Sequence, residues 1–271
     1  MFRDLLVHVD GSDAGRRRVQ FAVSLAERAQ ARLTGLHVTP PAEVPVQFKP
    51  SLVSRIEGEI SATLEVDARA AATIFKETAE LRLPDTSWSQ ASGEVVEGVC
   101  NKARYADLVI LGQYERQGRP ENHPLPIARS VVSQCGRPVL VVPSSAYAVA
   151  LTRVAVVCDR SRDAISTIHD ALPLLSLSGS VQIIMVTARS DADSELDAAC
   201  LLVHLANHGI PVDKHVAHVP EHAALCQQIE DGNYDLLVIG GSSSPAWVDF
   251  LFGDVTQSVL LSSRIPVFVS L

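Results

Sequence analysis

The sequence predicts an α/β fold, a parallel sheet covered by helices on both faces, and it predicts that fold twice. Three observations carry this. Apolar runs of strand length, such as LLVHV at 5–9, LVIL at 108–111 and PVLVV at 138–142, are nearly continuous, as strands buried on both faces are. Between them lie stretches with apolar residues at helical spacing, so strand and helix alternate. Finally, the chain repeats itself. "YADLVILGQ" (105–113) matches "NYDLLVIGGS" (233–242), and "GRPVLVVP" (136–143) matches "RIPVFVSL" (264–271). "RDLLVHVDGSD" (3–13) matches "TRVAVVCDRSRD" (152–163), with Asp10 opposite Asp159. Agreement over separated blocks means two copies of one unit, taken here as domains 1–145 and 151–271.

In the first unit, 3–9 is a strand. Residues 13–30 form a helix, with Val19, Ala22, Val23, Ala26 and Ala29 on one stripe and Ser12 or Asp13 as its cap. "RLTGLHV" (32–38) is the second strand, followed by a loop marked by Pro40, Pro41, Pro45 and Pro50. A long helix over 53–82 aligns Ile56, Ile60, Leu64, Ala68, Ala71 and Phe75. A polar strand at 86–91, a helix at 94–104, a strand at 107–111, a helix at 125–134 and a strand at 138–142 complete the unit. The second unit is shorter, with strands at 153–157, 181–187, 212–216, 235–239 and 266–270. The last strand of each unit is strongly apolar, and such an edge left bare would invite aggregation. Strands 138–142 and 266–270 are therefore expected to pair, making an internal pseudo-dimer, with a further homodimer allowed for. In parallel sheets ligands sit beyond the carboxyl ends of the strands. Asp10, Asp159, Gly112 and Gly240 all lie at such ends.

Composition narrows the function. The net charge of −8 resides wholly in the second half: residues 1–150 carry 17 basic and 17 acidic side chains, residues 151–271 carry 6 and 14. That balance argues against nucleic acid as a partner, because phosphate neutralisation dominates such binding. No apolar run reaches the ~18 residues of a membrane span, so no membrane association is expected. The N-terminus lacks an apolar signal core. Five scattered cysteines without a C-x-x-C fit unpaired thiols in a reducing cytoplasm.

The order of elements and the blocks "VHVDGS" (7–12), "ADLVILGQ" (106–113), "GRPVLVVP" (136–143), "YDLLVIGG" (234–241) and "GDVTQSVL" (253–260) resemble the universal stress protein family, specifically its tandem-domain members. The resemblance implies adenine nucleotide alpha hydrolase-like domains, each a five-stranded parallel sheet with helices on both faces. Many members hold ATP at the strand ends through a pattern G-x-x-G-x(9)-G-[S/T] after the fourth strand. Its glycines let backbone N–H groups approach phosphate at a helix N-terminus.

Neither copy of that pattern is intact. In the second unit Gly240 and Gly253 fit, Ser243 replaces the second glycine and Asp254 the hydroxyl residue. In the first, Gly112 fits, but Glu115, Leu125 and Pro126 replace the others; Pro126 has no N–H to donate. A carboxylate about 4 Å from a phosphate costs on the order of 4 kcal/mol, while an acid at a helix N-terminus is also a good cap. Asp254 has both readings. Asp10 and Asp159 likewise stand either beside the nucleoside, as the resemblance implies, or as turn residues.

Other signals are weaker. His204 and His208 share a helix face by spacing, but no metal is expected. "RRR" (16–18) reads as a solvated helix face or a contact for an anion. No P-loop or dinucleotide fingerprint occurs, and no nucleophile is marked by its surroundings. The expectation is a cytoplasmic, non-catalytic ligand-binding or regulatory module with weak or no ATP binding, ATP or AMP being allowed for in the second domain. A scaffolding protein without a small-molecule ligand and a slow ATPase are the alternatives.

Overall fold

The computed structural model describes residues 1–42, 50–113, 127–187, 192–219, 222–240 and 263–271. Glu115, Leu125, Pro126, Ser243, Gly253 and Asp254 lie outside the described residues. So does Pro45.

The first unit contains β1 (Asp4–His8), α1 (Asp13–Ala29), β2 (Arg32–Thr39), α2 (Pro50–Phe75), β3 (Thr86–Ser92), α3 (Val95–Ala103), β4 (Leu108–Gly112), α4 (Ile127–Gln134) and β5 (Val139–Val142). The second contains β6 (Arg153–Cys158), α5 (Arg162–Leu175), β7 (Ser180–Val186), α6 (Ala192–Asn207), β8 (Ala217–Val219), α7 (His222–Asp231), β9 (Leu236–Gly240) and β10 (Val267–Ser270). Each unit contributes five parallel strands, and the two sets form one ten-stranded sheet in the order β3-β2-β1-β4-β5-β10-β9-β6-β7-β8.

The seam is antiparallel. Val267 pairs with Val141, Phe268 with Leu140 and Val269 with Val139, so the last strands cover each other. Gln113 Nε2 adds a bond across the seam to the carbonyl of Ser263 at 3.0 Å. Because all other neighbours are parallel, the strands of the two units run in opposite directions. Their carboxyl ends, and hence their clefts, lie at opposite edges of the sheet.

Strand residues alternate between two buried layers. Leu5, Val7, Leu108, Ile110 and Phe268 face the layer under α1, α2, α5 and α6; Leu6, Val109, Leu111, Val267 and Val269 face the layer under α3, α4 and α7. The expected stripe of α2 continues through Phe75, which packs on Trp88 with ring centroids 5.3 Å apart. Gly35 makes this possible, since a Cβ there would lie 2.5 Å from the Phe75 ring.

The long helix expected over 53–82 runs as α2 to Phe75 and continues as a π-helical turn over Lys76–Glu80. Two expectations are corrected. The strand expected at 212–216 forms instead at Ala217–Val219, with Val212 making only an isolated bridge to Val181. Asp213 accepts from the His215 backbone in that stretch, a local turn that competes with the ladder. The solvated-face reading of "RRR" holds for Arg16 but fails at Arg18. Arg16 pairs with Glu77, Arg17 donates to the Ser144 carbonyl, and Arg18 is buried.

The aspartates shared by the repeats at the start of β4 and β9 are clamps. Asp107 Oδ2 accepts from the backbone N–H of Arg3 and Asp4 at 2.6 and 3.0 Å. Asp235 Oδ2 accepts from Thr152 and Arg153 at 2.8 and 2.9 Å. The connecting segment lies along α1, where Arg28 donates to the Val149 carbonyl and the Val149 N–H to Ser24.

Phe268 is fully buried at the seam. Phe268→Ala is expected to cost about 3–5 kcal/mol, measured as a shift in the denaturation midpoint; a loss below about 1 kcal/mol would mean the seam is not part of the core.

Candidate functional site

Each cleft is built from the end of the first strand, the glycine that ends the fourth, and the first turn of the helix between. In the first unit Asp10 leaves β1 and turns the chain. Its Oδ1 accepts from the Ser12 N–H at 3.0 Å and from the Ser12 hydroxyl. Ser12 in turn caps α1, accepting from the Gly15 N–H at 2.9 Å, a normal use of serine at an N-cap. Gly11 donates its N–H to Asp67 of α2 at 2.9 Å.

Arg18 sits one turn into α1 and points back into this cleft. Its Nη2 donates to Asp10 Oδ2 at 2.9 Å and its Nη1 to the His8 carbonyl at 2.7 Å, with His8 Nδ1 3.5 Å away. The Arg18 side chain is 7% exposed. Its Nε is buried without a hydrogen-bond partner. Gly112 is the reason the guanidinium fits: a Cβ there would stand 2.7–2.8 Å from its atoms. His37, at the end of β2, is buried with Nδ1 2.9 Å from the Val9 carbonyl.

The electrostatics follow from this packing. Burial pushes the Asp10 carboxyl up, but Arg18 and the Ser12 bonds outweigh it and hold it well below the carboxylate range. Burial, reinforced by Arg18, lowers His8 to about 3, so its imidazole is neutral.

The second unit keeps the turn and drops the cation. Asp159 Oδ1 accepts from the Ser161 N–H at 3.0 Å, and Ser161 caps α5 through the Ala164 N–H at 3.1 Å. Counting along the matched elements, Val157, Thr167 and Met185 stand where the first unit has His8, Arg18 and His37. Thr167 is buried and donates to the Ser270 carbonyl at 2.9 Å. Among the described residues no basic side chain pairs with Asp159. Arg160, in the left-handed region at φ 67, turns away to pair with Asp197 of α6. Gly240 admits the first turn of α5: a Cβ there would lie 2.7 Å from the Ala164 Cα.

Elsewhere the chemistry is sparse. His204 stacks edge-on with His169 and His208, centroids 4.8 and 4.7 Å apart. Among the described residues no group of three His, Cys, Asp or Glu side chains is arranged to hold a metal ion. Burial pushes the thiols of Cys100, Cys135, Cys158 and Cys226 up, away from the thiolate a nucleophile needs. No described helix is long and apolar enough to cross a membrane.

The structure thus brings Asp10 to Gly112 and Asp159 to Gly240. His8 and Asp67 were not singled out from the sequence, and Arg18 was read only within "RRR" (16–18). Comparing the repeats would have exposed His8 and Arg18, since both are basic where Val157 and Thr167 are not.

The model of the universal stress protein family matches residues 1–143 and again 144–270. The chain belongs to the universal stress protein family. Its fold is similar over nearly its whole length to solved structures of universal stress proteins. A universal stress protein from Archaeoglobus fulgidus has a TM-score of 0.72 at 17% identity, covering 98% of this chain and 95% of that one. A putative universal stress protein from Pseudomonas aeruginosa has a TM-score of 0.61 at 16% identity, covering 99% and 93%. No curated relative matches the sequence.

Two outcomes test the site. Arg18→Thr, which installs the residue of the second unit, strands the Asp10 carboxylate and is expected to cost roughly 2–4 kcal/mol. A double-mutant cycle with Asp10→Ala should give a coupling of at least about 1 kcal/mol. For pH, both folded pKa values are depressed, so both groups contribute stability above their unfolded pKa values and lose it on acidification. His8 acts first: below pH about 6.5 the unfolded chain takes a proton that the folded one refuses until about pH 3. Asp10 keeps its contribution down to pH about 4 and loses it only below that. His8→Val should flatten the fall in denaturation midpoint between pH 7 and 5; an unchanged slope would refute the assignment.

Proposed function

We propose that the chain is a cytoplasmic regulatory module that binds a small molecule and catalyses nothing itself. The second cleft is the binding site, and the first is closed by its own arginine. The contrast between His8, Arg18 and His37 and their counterparts Val157, Thr167 and Met185 supports this most directly. A nucleoside hydroxyl approaching Asp10 meets oxygens already engaged by Arg18 and Ser12. Displacing Arg18 would leave a buried guanidinium without its anion, which is strongly unfavourable. Asp159 carries no such partner among the described residues, so its carboxylate is available to a hydroxyl.

The ligand follows from charge. The second half of the chain is acidic, and Asp254 replaces the hydroxyl residue of the phosphate pattern. Each added phosphate therefore adds repulsion. The expected order is adenosine and AMP ahead of ADP, and ATP weak unless Mg²⁺ bridges it. In the first unit Glu115, Leu125 and Pro126 remove what phosphate would need.

The test is thermal shift and calorimetric titration with adenosine, AMP, ADP and ATP, each with and without Mg²⁺. A ligand at a hundredfold excess over Kd stabilises by about 2.7 kcal/mol. Asp159→Ala should abolish the shift while Asp10→Ala leaves the ligand Kd unchanged; the reverse pattern would overturn the assignment of clefts. Asp254→Ser should tighten ATP at least about tenfold if repulsion governs, and unchanged affinity would refute that. No shift with any of the four leaves the scaffolding reading.

A further inference from the structure

The two clefts brace their first turn against the neighbouring helix in different ways. In the first, the Gly11 N–H donates straight to Asp67 of α2 at 2.9 Å, and a Cβ on Gly11 would lie 2.6 Å from that carboxylate oxygen. Turn and helix touch there, and no side chain fits between them. In the second, the matching residue is Arg160, whose backbone takes φ 67, a region that residues other than glycine rarely occupy. Its side chain reaches out to α6, where Nε donates to Asp197 Oδ2 at 2.5 Å. Both members of this pair are partly exposed, at 39% and 48%. Burial pushes up the thiol of Cys158 at the end of β6; Asp159 and Asp197 add to this and Arg160 opposes it. All three charges therefore bear on the strand end that carries Asp159.

Arg160 adjoins Asp159 in sequence and carries the charge that would neutralise it. The first cleft shows what an arginine does when it is free to reach such an aspartate: Arg18 takes Asp10 Oδ2 at 2.9 Å. Among the described residues Asp159 accepts only through Oδ1, from the Ser161 N–H. We infer that Asp197 is a positioning residue of the second cleft: by holding Arg160 against α6, it keeps the Asp159 carboxylate open to a ligand hydroxyl. This rests on the proposed assignment of that cleft as the binding site. Two acids compete for one guanidinium, and without Asp197 the arginine is drawn to the carboxylate one residue away. The helix does not depend on Asp197 for its own place. Ala198, Leu201 and Leu205 bury its inner face, and His218 of β8 has its Nε2 3.8 Å from Glu195. Removing the Asp197 charge therefore releases Arg160 and leaves α6 seated.

One readout needs no ligand. The Arg160 Nε–H resonance, assigned through Arg160→Lys, should move in Asp197→Asn. In that background Asp159→Asn should move it again, whereas in the wild-type background Asp159→Asn should leave it in place. A resonance indifferent to Asp159 in the Asp197→Asn background overturns the inference, whether or not any nucleoside binds. The other readout is calorimetric titration with adenosine. Asp197→Asn should raise its Kd roughly three- to fivefold, the range expected of a partly exposed ion pair. Asp197→Glu, which keeps the anion, should bind within about twofold of the wild type. Adding Arg160→Gly to Asp197→Asn removes the competing cation and should bring the Kd back to within about twofold. An unchanged Kd in Asp197→Asn, or a double variant as weak as the single one, would overturn the inference. A wild type that binds no adenosine overturns the proposed ligand site alone, and the resonance then decides whether Asp197 holds Arg160 from Asp159.

Discussion

The antiparallel pairing of β5 with β10 is the constraint from which the rest of the molecule follows. Two apolar edge strands, each a liability alone, cover each other and make one sheet of ten strands. Antiparallel pairing at one seam between otherwise parallel halves sends the strand ends to opposite edges. Among the described residues the two clefts then share none. A duplicated chain with separate clefts can keep its core while each site changes its chemistry alone.

That freedom is visible in what each cleft has become. Both keep the same turn: an aspartate, a serine cap, and a glycine where helix and strand approach. The first adds Arg18, whose guanidinium occupies the room left by Gly112 and satisfies Asp10. A charge this deeply buried has to be paired, so Asp10 and Arg18 are bound to stay together. Burial, with Arg18 beside it, keeps His8 neutral. The second unit has Val157, Thr167 and Met185 at the matching positions and leaves Asp159 unpaired by any described cation. Even the brace to the neighbouring helix differs in its atoms: Gly11 uses its backbone N–H on Asp67, Arg160 its side chain on Asp197.

Much of the fold was legible because burial on both faces leaves a direct trace. Continuous apolar runs mark β1, β4, β5, β9 and β10, and the α2 stripe runs through Ala68, Ala71 and Phe75 as the periodicity predicts. β8 was misplaced because its three residues carry too short a pattern and Asp213 starts a competing turn. The candidate site was legible only in part. Asp10, Asp159, Gly112 and Gly240 sit at the strand ends, as expected from parallel-sheet geometry. Arg18 was misread because three consecutive arginines look like a surface run, whereas helical geometry sends Arg16, Arg17 and Arg18 in three directions. Spacing along the chain fixes a direction but not what waits there. Ser243, Gly253 and Asp254 keep the reading their residue types allow.

The claim that the first cleft holds its own cation is most directly tested by nuclear magnetic resonance of the arginine Nε–H groups, with Arg18 assigned through Arg18→Lys. A guanidinium buried against Asp10 and His8 should give a sharp, solvent-protected Nε–H signal that does not move when adenosine or AMP is added. A signal that exchanges rapidly with water, or that shifts on titration with either ligand, would contradict the account.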